Sequence, residues 1–244
     1  MLADLRGALT FLTVLPVGYV EGRKPGAQVA YYPLVGLLIG LCVAGVAALP
    51  LFSPEVRAAL ALIVWVALTG GLHLDGFADS CDGLLATVDP ARRLEIMKDP
   101  RCGAFAVIGV GLLLLGKYSA LQNTPPLMLL LPPVAGRWSM VLALRTFPYA
   151  RSTGLGAYFR EGFGRTQVIL AAAFAVGITA VVSVFVDLRL LMLLVVPPLT
   201  VLLIGRWAAG RLGGGLTGDV YGALCELTEL FCLLMIDGIL WTGS

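Results

Sequence analysis

Charged side chains are scarce in this sequence: Asp, Glu, Lys and Arg make up 13% of the 244 residues, whereas 59% are hydrophobic. A soluble domain is typically about a quarter charged and about half apolar. No long hydrophilic block interrupts the apolar segments, and the mean hydropathy is +0.93. The shortage of charge excludes an ordinary soluble domain and predicts a single integral membrane domain over residues 1–244.

Cysteine pairs are also missing. The five cysteines include no C-x-x-C pair and are scattered through apolar segments, which argues against a disulfide framework or a thiolate zinc site. We interpret Cys81, which lies in an acidic segment, as a small, moderately apolar filler. The first twenty residues have no small-residue cleavage site after a basic start, so we expect them to stay in the mature chain as a short apolar helix at the membrane surface.

Long apolar stretches predict an all-α, polytopic helical bundle with about seven spans, because a spanning helix needs roughly 20 apolar residues. The candidate spans are residues 31–52, 56–72, 104–122, 125–145, 167–186, 189–205 and 220–241. The last is the weakest, since Glu226, Glu229 and Asp237 interrupt it. A helix that lines a cavity or lies in the interface is the alternative there.

Two kinds of connection separate these spans. Tight, Pro-containing or charged links at 53–55, 123–126 and 187–189 predict helical hairpins. The other links, 73–103, 146–166 and 206–219, are long and polar.

Basic residues fall almost entirely on one side of the alternating topology. Thirteen of the 17 lie beside or within the N-terminal segment and the long links: Arg6, Arg23, Lys24, Arg92, Arg93, Lys98, Arg101, Arg145, Arg151, Arg160, Arg165, Arg206 and Arg211. Only Arg57 and Arg189 fall on the other side. Cytoplasmic loops carry an excess of Lys and Arg, so we expect the long loops to be cytoplasmic.

Three aspartates stand together where the second span ends, in the stretch GGLHLDGFADSCDGL from Gly70 to Leu84. Asp75, Asp79 and Asp82 are spaced i, i+4 and i+7, so in a helix they share one face. Such a stripe of like charges is suited to Mg²⁺, which takes one or two carboxylates plus water and phosphate oxygens. We therefore predict a site where Mg²⁺ holds a diphosphate. Close approach of a large ligand would explain Gly76 and Gly83, which weaken a helix.

His73, the only histidine of the chain, directly precedes this stripe. It could act as a general base, as a metal ligand or as a hydrogen-bond partner that orients an aspartate. Further along the same polar link, Lys98 and Arg101 are candidate donors to phosphate oxygens, and Asp99 could add a carboxylate.

Polar residues near the C-terminus form a second candidate group. The segment GGGLTGD (213–219) can approach a ligand and donate backbone N–H groups, but no G-K-[ST] follows, so it does not indicate nucleotide hydrolysis. Its candidate binding residues are Gly214, Gly215, Thr217 and Gly218. Asp219 and Glu226 share a helical face and are candidate metal ligands opposite the first stripe. Arg137 needs an anionic partner within its apolar span, either a substrate or one of the carboxylates.

Four blocks, in this order, resemble the cobalamin synthase family, the adenosylcobinamide-GDP ribazoletransferases. They are HLDGFADSCDG at 73–83, MKDPRCGAF at 97–105, GRW at 136–138 and GGLTGD at 214–219. The first two blocks are long and specific, whereas the other two would be weak alone. The resemblance extends from about residue 30 to the C-terminus.

This resemblance implies a multi-pass enzyme of the bacterial cytoplasmic (inner) membrane whose active site faces the cytoplasm. It would join α-ribazole or α-ribazole 5′-phosphate to adenosylcobinamide-GDP and release GMP, with Mg²⁺ as its cofactor. We expect the ribazole 5′-hydroxyl to attack the phosphorus bonded to cobinamide, and His73 or an aspartate such as Asp82 to accept its proton. Its partners would be these small molecules and no nucleic acid, with a homo-oligomer or an assembly with other pathway enzymes as further expectations.

Two other functions compete with this interpretation. Membrane CDP-alcohol phosphotransferases share the opening of the pattern D-x-x-D-G-x-x-A-R, which here is Asp79-x-x-Asp82-Gly83, but Ala86 is followed by Thr87 instead of Arg. A cation- or proton-coupled transporter would place acidic residues near mid-membrane and is favoured by inverted repeats. In this sequence the main acidic cluster lies at a span end, and we see no inverted repeat.

Overall fold

Helices account for nearly all regular structure in the computed structural model, which describes residues 2–18, 22, 24–151 and 154–242. In these ranges the only β-type pairing is an isolated bridge between Tyr149 and Leu216. Arg23 lies outside the described residues. The helices are α1 (Leu2–Leu12), α2 (Tyr32–Ala47), α3 (Pro54–Thr69), α4 (Leu72–Leu85), α5 (Pro90–Ile96), α6 (Ala104–Leu121), α7 (Leu131–Thr146), α8 (Leu155–Tyr158), α9 (Arg165–Phe185), α10 (Val196–Thr200), α11 (Arg206–Arg211) and α12 (Gly218–Trp241).

Five helical stretches in the described residues are long and apolar enough to cross a membrane. They are Pro25–Ala47, Ala104–Leu121, Pro126–Thr146, Arg165–Phe185 and Leu188–Arg211. Three of them join α-helix to 3-10 or π turns, which begin or continue α2, α7 and α10. The all-α membrane bundle is therefore confirmed.

The predicted count of about seven spans is not confirmed. The pair α3 and α4 makes at most a sixth span, bent by 89°. The bend falls at Gly70 and Gly71, whose φ angles of 60° and 69° lie in the left-handed region that favours glycine. The seventh candidate, α12, is 24 residues long but is not among the spans, because its acidic residues interrupt every apolar stretch.

The long helix α12 lies at the centre of the bundle and packs mainly against α4 and α7, with α6 as a further neighbour. Two predicted hairpins have helices that pack on each other, α2 with α3 and α9 with the segment Leu188–Val195. The third predicted hairpin would join α6 and α7 through the link at 123–126, but these two helices have different main partners. Helix α6 packs on α3, α4 and α12, whereas α7 packs on α2, α9 and α12.

Glycines bring α4 and α12 into backbone contact. A Cβ atom on Gly76 would lie 2.8 Å from the carbonyl oxygen of Asp219, and one on Gly222 would lie 3.0 Å from that of His73. The side chain of Met97 fills the space beside Gly83. Close packing of protein atoms thus accounts for both glycines, and of the two only Gly76 also lines one of the cavities described below.

The C-terminal end of α4 is held by one arginine from α5 and one from α11. Arg93 donates to the carbonyl oxygens of Gly83 and Leu84 at 3.0 and 2.7 Å, and Arg211 donates to that of Leu84 at 2.9 Å. The last carbonyls of a helix have no partners within it and attract cations. These contacts fix the helix that carries the aspartate stripe.

Candidate active site

The two faces of α4 differ in chemistry, as the residue spacing predicts. His73, Gly76, Phe77, Ser80, Gly83 and Leu84 are buried against the bundle. Asp75, Asp79 and Asp82 lie on the other face and line one cavity. Cys81 is in contact distance of Gly109 on α6, in agreement with a small filler.

This acidic cavity has a volume of about 360 Å³. Besides the three aspartates, its walls include Lys98, Asp99, Arg101 and Cys102 from the loop between α5 and α6. The structure therefore brings together the aspartates and the two cations that the sequence singled out. A cavity with both carboxylates and cations can hold a metal ion and phosphate oxygens side by side.

Asp82 also caps a neighbouring helix. Its Oδ2 accepts a hydrogen bond from the backbone N–H of Gly103 at 2.7 Å, and its Oδ1 accepts one from Ala106 at 2.9 Å. The first N–H groups of α6 have no partners within that helix, so a carboxylate satisfies them well. Asp82 thus ties α4 to α6, and its lone pairs are less available than those of Asp75 and Asp79.

Arg101 pairs with Asp99 in the wall of the acidic cavity. Its Nε donates to Asp99 Oδ1 at 2.9 Å, and its Nη2 donates to Oδ2 at 2.6 Å. These hydrogen bonds hold the pKa of Asp99 well below its ordinary value. Arg101 would exchange this partner for a phosphate group if it binds substrate.

A second cavity, of about 280 Å³, adjoins the first, and Asp75 lines both. We call it the aromatic cavity, because five of the side chains lining it are aromatic: Phe11, Tyr32, Tyr149, Phe159 and Tyr221. Its polar end is formed by Asp75, Asp219 and Arg151. Arg151 Nη2 lies 3.0 Å from Asp219 Oδ2.

Arg151 and the aromatic residues were not singled out in the sequence. Arg151 is one of many basic residues in the long loops, and the five aromatic rings come from separate parts of the chain. No spacing pattern connects them. Only the packing of α1, α2, the 149–159 segment and α12 brings them together.

The structure directs Arg137 and Glu226 away from both cavities. Arg137 is fully buried and forms an ion pair with Glu229. Lys117 Nζ lies 2.6 Å from Glu226 Oε2 and 2.5 Å from Glu229 Oε2. These four charges balance one another inside the bundle, and neither Arg137 nor Glu226 is among the residues lining the two cavities. Arg137 thus has a carboxylate partner, one of the two alternatives that the sequence left open, and the structure lends no support to Arg137 as a substrate-binding residue or to Glu226 as a metal ligand.

His73 is buried, lines the aromatic cavity and contacts this charge network. Its Nδ1 lies 3.4 Å from Arg137 Nη2. An arginine side chain only donates hydrogen bonds, so this contact requires Nδ1 to be the accepting nitrogen. In a neutral ring the proton then resides on Nε2, which has no hydrogen-bond partner within the described part of the chain. This geometry favours His73 as a donor over His73 as a base at Nε2.

The glycine-rich segment mainly shapes its own loop. Gly213 and Gly214 have φ angles of 83° and 109°, and Gly215 packs against the backbone of Pro148 and Ala150. Thr217 is buried and caps α12 by accepting a hydrogen bond from the N–H of Val220. Of the four predicted binding residues (Gly214, Gly215, Thr217 and Gly218), only Gly218 lines either of the two cavities described above. The other three shape the loop that presents Asp219.

Asp75, Asp79 and Asp219 supply carboxylate oxygens, the ligands that hard divalent cations prefer, although Asp219 also pairs with Arg151. The structure shows no hydrogen bond to the side chains of Asp75 and Asp79 from residues 2–18, 22, 24–151 and 154–242. No three His, Cys, Asp or Glu side chains in those ranges form a group that could hold a metal ion. Mg²⁺ does not need three such side chains, because it usually keeps several waters and binds through one or two carboxylates plus substrate phosphates.

Comparison with known sequences gives a consistent result. The profile of the family described as cobalamin-5-phosphate synthase matches residues 4–236. An adenosylcobinamide-GDP ribazoletransferase of Stutzerimonas stutzeri is 41% identical, with 97% of each chain covered. The enzyme of that name from Desulforamulus reducens is 39% identical over 97% of this chain and 96% of its own, and that from Pseudomonas paraeruginosa is 42% identical over 96% and 98%. No solved structure matches.

Proposed function

Since the chain belongs to the cobalamin-5-phosphate synthase family, we propose that the two adjoining cavities are the active site of a transferase that joins ribazole to adenosylcobinamide-GDP. The observation that carries this proposal is Asp75, which lines both cavities. A donor bound in one cavity and an acceptor bound in the other would meet at this carboxylate. Holding two reactants close together in the orientation in which they react contributes much of the catalysis in such transfers.

The acidic cavity suits the diphosphate of the donor. Asp75 and Asp79, with Asp219 beside them, would hold Mg²⁺, while Lys98 and Arg101 would contact phosphate oxygens. When bound, the ion neutralises the diphosphate and the charge that develops on the leaving GMP. Asp82 supports this site by fixing α4 to the start of α6.

The description of the family changes the expected nucleophile. A cobalamin 5-phosphate product would retain a phosphate at the 5′ position of ribazole, which supports α-ribazole 5′-phosphate as the acceptor, with α-ribazole as the alternative. With the 5′ position carrying phosphate, we propose that the attacking group is a ring hydroxyl of the ribose in place of the 5′-hydroxyl expected from the sequence. The hydroxyl oxygen forms the new bond to the phosphorus attached to cobinamide, and the bond from this phosphorus to GMP breaks.

The hydroxyl proton would pass to a carboxylate at the junction of the cavities. Asp75 lies there, whereas His73 already presents an accepting nitrogen to Arg137. His73 would instead donate from Nε2 to an oxygen of the bound substrates. General acid–base groups must lie within hydrogen-bond reach of the proton they transfer, and Asp75 lines both cavities in which the reactants would lie.

The membrane setting of the enzyme follows from charge and hydropathy. The thirteen basic residues of the N-terminal segment and the long loops support a location in the bacterial inner membrane with the two cavities on the cytoplasmic side. Residues of all three long links line the cavities. A homo-oligomer, or an assembly with other enzymes of the pathway, is a further part of the proposal.

A CDP-alcohol phosphotransferase is the competing function. Its support is the shared Asp79-x-x-Asp82-Gly83 spacing, and its weakness is the missing arginine after Ala86. Such an enzyme would transfer its group to a lipid acceptor.

Turnover by detergent-purified protein tests the proposal. Adenosylcobinamide-GDP, α-ribazole 5′-phosphate and Mg²⁺ should give GMP and a cobamide phosphate, and excess EDTA should stop the reaction until Mg²⁺ is restored. The Asp79→Asn variant should be inactive, because Asp79 lines the acidic cavity without capping a helix. Folded wild-type protein that makes no GMP but transfers from a CDP-alcohol to lipid would establish the competing function instead.

A further inference from the structure

We propose that the aromatic cavity binds the heterocyclic base of the acceptor nucleotide, so that Phe11, Leu144, Tyr149 and Phe159 determine which base the enzyme accepts. This inference rests on the proposed function, because it assigns one of the two substrates to one of the two cavities. It adds a specificity site whose residues come from α1, α7 and the segment that follows α7.

The size of the cavity and the rings in its wall suit a planar bicyclic ring. Its volume of about 280 Å³ exceeds the roughly 150 Å³ of a dry protein cavity that holds benzene. The rings of Phe11 and Phe159 lie 4.5 Å apart between centroids, and Tyr32 stacks on Phe11 at 6.2 Å. Aromatic side chains arranged in this way offer faces and edges to another ring.

The chemistry of the walls favours the base of ribazole over guanine. Met140, Leu144, Phe11 and Phe159 form apolar wall, against which a benzimidazole can lie because it carries only hydrocarbon on its outer edge. Guanine presents O6 and N7 as acceptors, and burying such atoms without partners is costly. It would need the tyrosine hydroxyls or His73 of the lining as donors, whereas the hydrocarbon edge of a benzimidazole needs none.

The position of the cavity also orients the acceptor. Its polar end consists of Asp75, Asp219 and Arg151, and Asp75 continues into the acidic cavity. A nucleotide whose base lies among the aromatic rings would place its ribose at this polar end. The ribose hydroxyls would then reach the boundary between the cavities, where the donor phosphorus is expected.

Two variants from different elements test the assignment. Phe11→Leu removes a ring from the wall with little change in volume, and Leu144→Phe fills part of the cavity. Phe174→Leu is the matched control, because Phe174 contacts Tyr31 and does not line the cavity. For all three, KM is measured separately for α-ribazole 5′-phosphate and for adenosylcobinamide-GDP, and thermal unfolding confirms that each variant is folded.

Phe11→Leu should raise KM for α-ribazole 5′-phosphate by roughly 3- to 10-fold, the loss expected for one aromatic contact, and Leu144→Phe should raise it because the added ring occupies the space of the base. They should leave KM for adenosylcobinamide-GDP unchanged, and Phe174→Leu should change neither value. A rise confined to adenosylcobinamide-GDP would place guanine in the cavity and overturn the proposal. Unchanged KM values in both folded variants would also overturn it.

Direct binding separates this inference from the proposed function. Equilibrium dialysis with radiolabelled benzimidazole should show binding to the wild type and weaker binding to Leu144→Phe, without any turnover. A wild type that binds benzimidazole in this way but never releases GMP would refute the proposed function and leave only a cavity that binds a planar bicyclic ring. Active wild-type protein whose benzimidazole binding is the same in Leu144→Phe would refute the cavity assignment alone.

Discussion

Asp79 and Asp82 lie on the same acidic face of α4 and have the same side chain, but their roles differ. The oxygens of Asp82 accept two backbone hydrogen bonds at the start of α6, whereas Asp79 lines the cavity without such a contact. Substitution by asparagine separates these roles, because the amide replaces one accepting oxygen with a donor that would face a backbone N–H.

Asp82→Asn should lower the free energy of unfolding by about 1–3 kcal/mol, the cost of losing a charged hydrogen bond, and should lower activity as well. Asp79→Asn should keep the wild-type melting temperature and lose roughly 100-fold or more of its activity, as expected for a metal-site residue. Thermal unfolding and GMP release, measured on both variants, check this pair. Equal melting temperatures for the two variants would show that the cap at α6 contributes nothing.

The tautomer of His73 is a second property of a single residue. Because the chain has one histidine, protein labelled with ¹⁵N-histidine gives one pair of ring-nitrogen signals. The contact between Arg137 and Nδ1 predicts the neutral ring with its proton on Nε2. Nitrogen NMR of the protein in detergent measures this directly. A proton on Nδ1 would contradict the hydrogen bond from Arg137 and restore Nε2 as a candidate base.

At the scale of helices, the site depends on the contact between α4 and α12. Gly76 is the closest point, since an added Cβ would meet the backbone of Asp219 at 2.8 Å. Backbone atoms cannot rotate away as a side chain can, so one helix would have to move. Asp75 and Asp219, which border the same cavity, would then separate.

Gly76→Ala should therefore destabilise the protein by about 1–3 kcal/mol, as overpacking does, and reduce activity. Gly238→Ala is its control on α12, where an added Cβ meets no atom within 4 Å. That change should slightly stabilise the helix, because alanine is the better helix former. Melting temperature and GMP release of the two variants test the prediction. Equal behaviour of both variants would show that this helix contact is not close-packed.

At the scale of the whole molecule, the loops that form the cavities should face one side of the membrane. Cys102 serves as a reporter, because it is the only one of the five cysteines that is exposed, and it lines the acidic cavity. A membrane-impermeant maleimide should label it in inside-out vesicles but not in intact spheroplasts. Bound Mg²⁺ and adenosylcobinamide-GDP should slow the labelling, and a Cys102→Ser variant should abolish it. Labelling in spheroplasts alone would reverse the proposed orientation.

Several features could be predicted from sequence because local rules determine them. The shortage of charge and the long apolar stretches predicted an all-α membrane bundle, since lipid tolerates only structures whose backbone groups are paired internally. The spacing of Asp75, Asp79 and Asp82 predicted their common face, because helical periodicity depends only on residue number. Lys98 and Arg101 were singled out from a short, recognisable block, and they line the same cavity as these aspartates.

Other features depended on which helices become neighbours. The sequence by itself determined the class of fold, the acidic stripe and the resemblance to the family. Only the tertiary structure decided that Glu229 takes Arg137 as its partner, that Lys117 takes Glu226, and that Asp82 caps α6. It also decided that aromatic rings far apart in the chain line one cavity. The physical reason is that the partners of a buried charge or ring are the groups that helix packing brings next to it. The spacing of residues along the chain does not specify those neighbours.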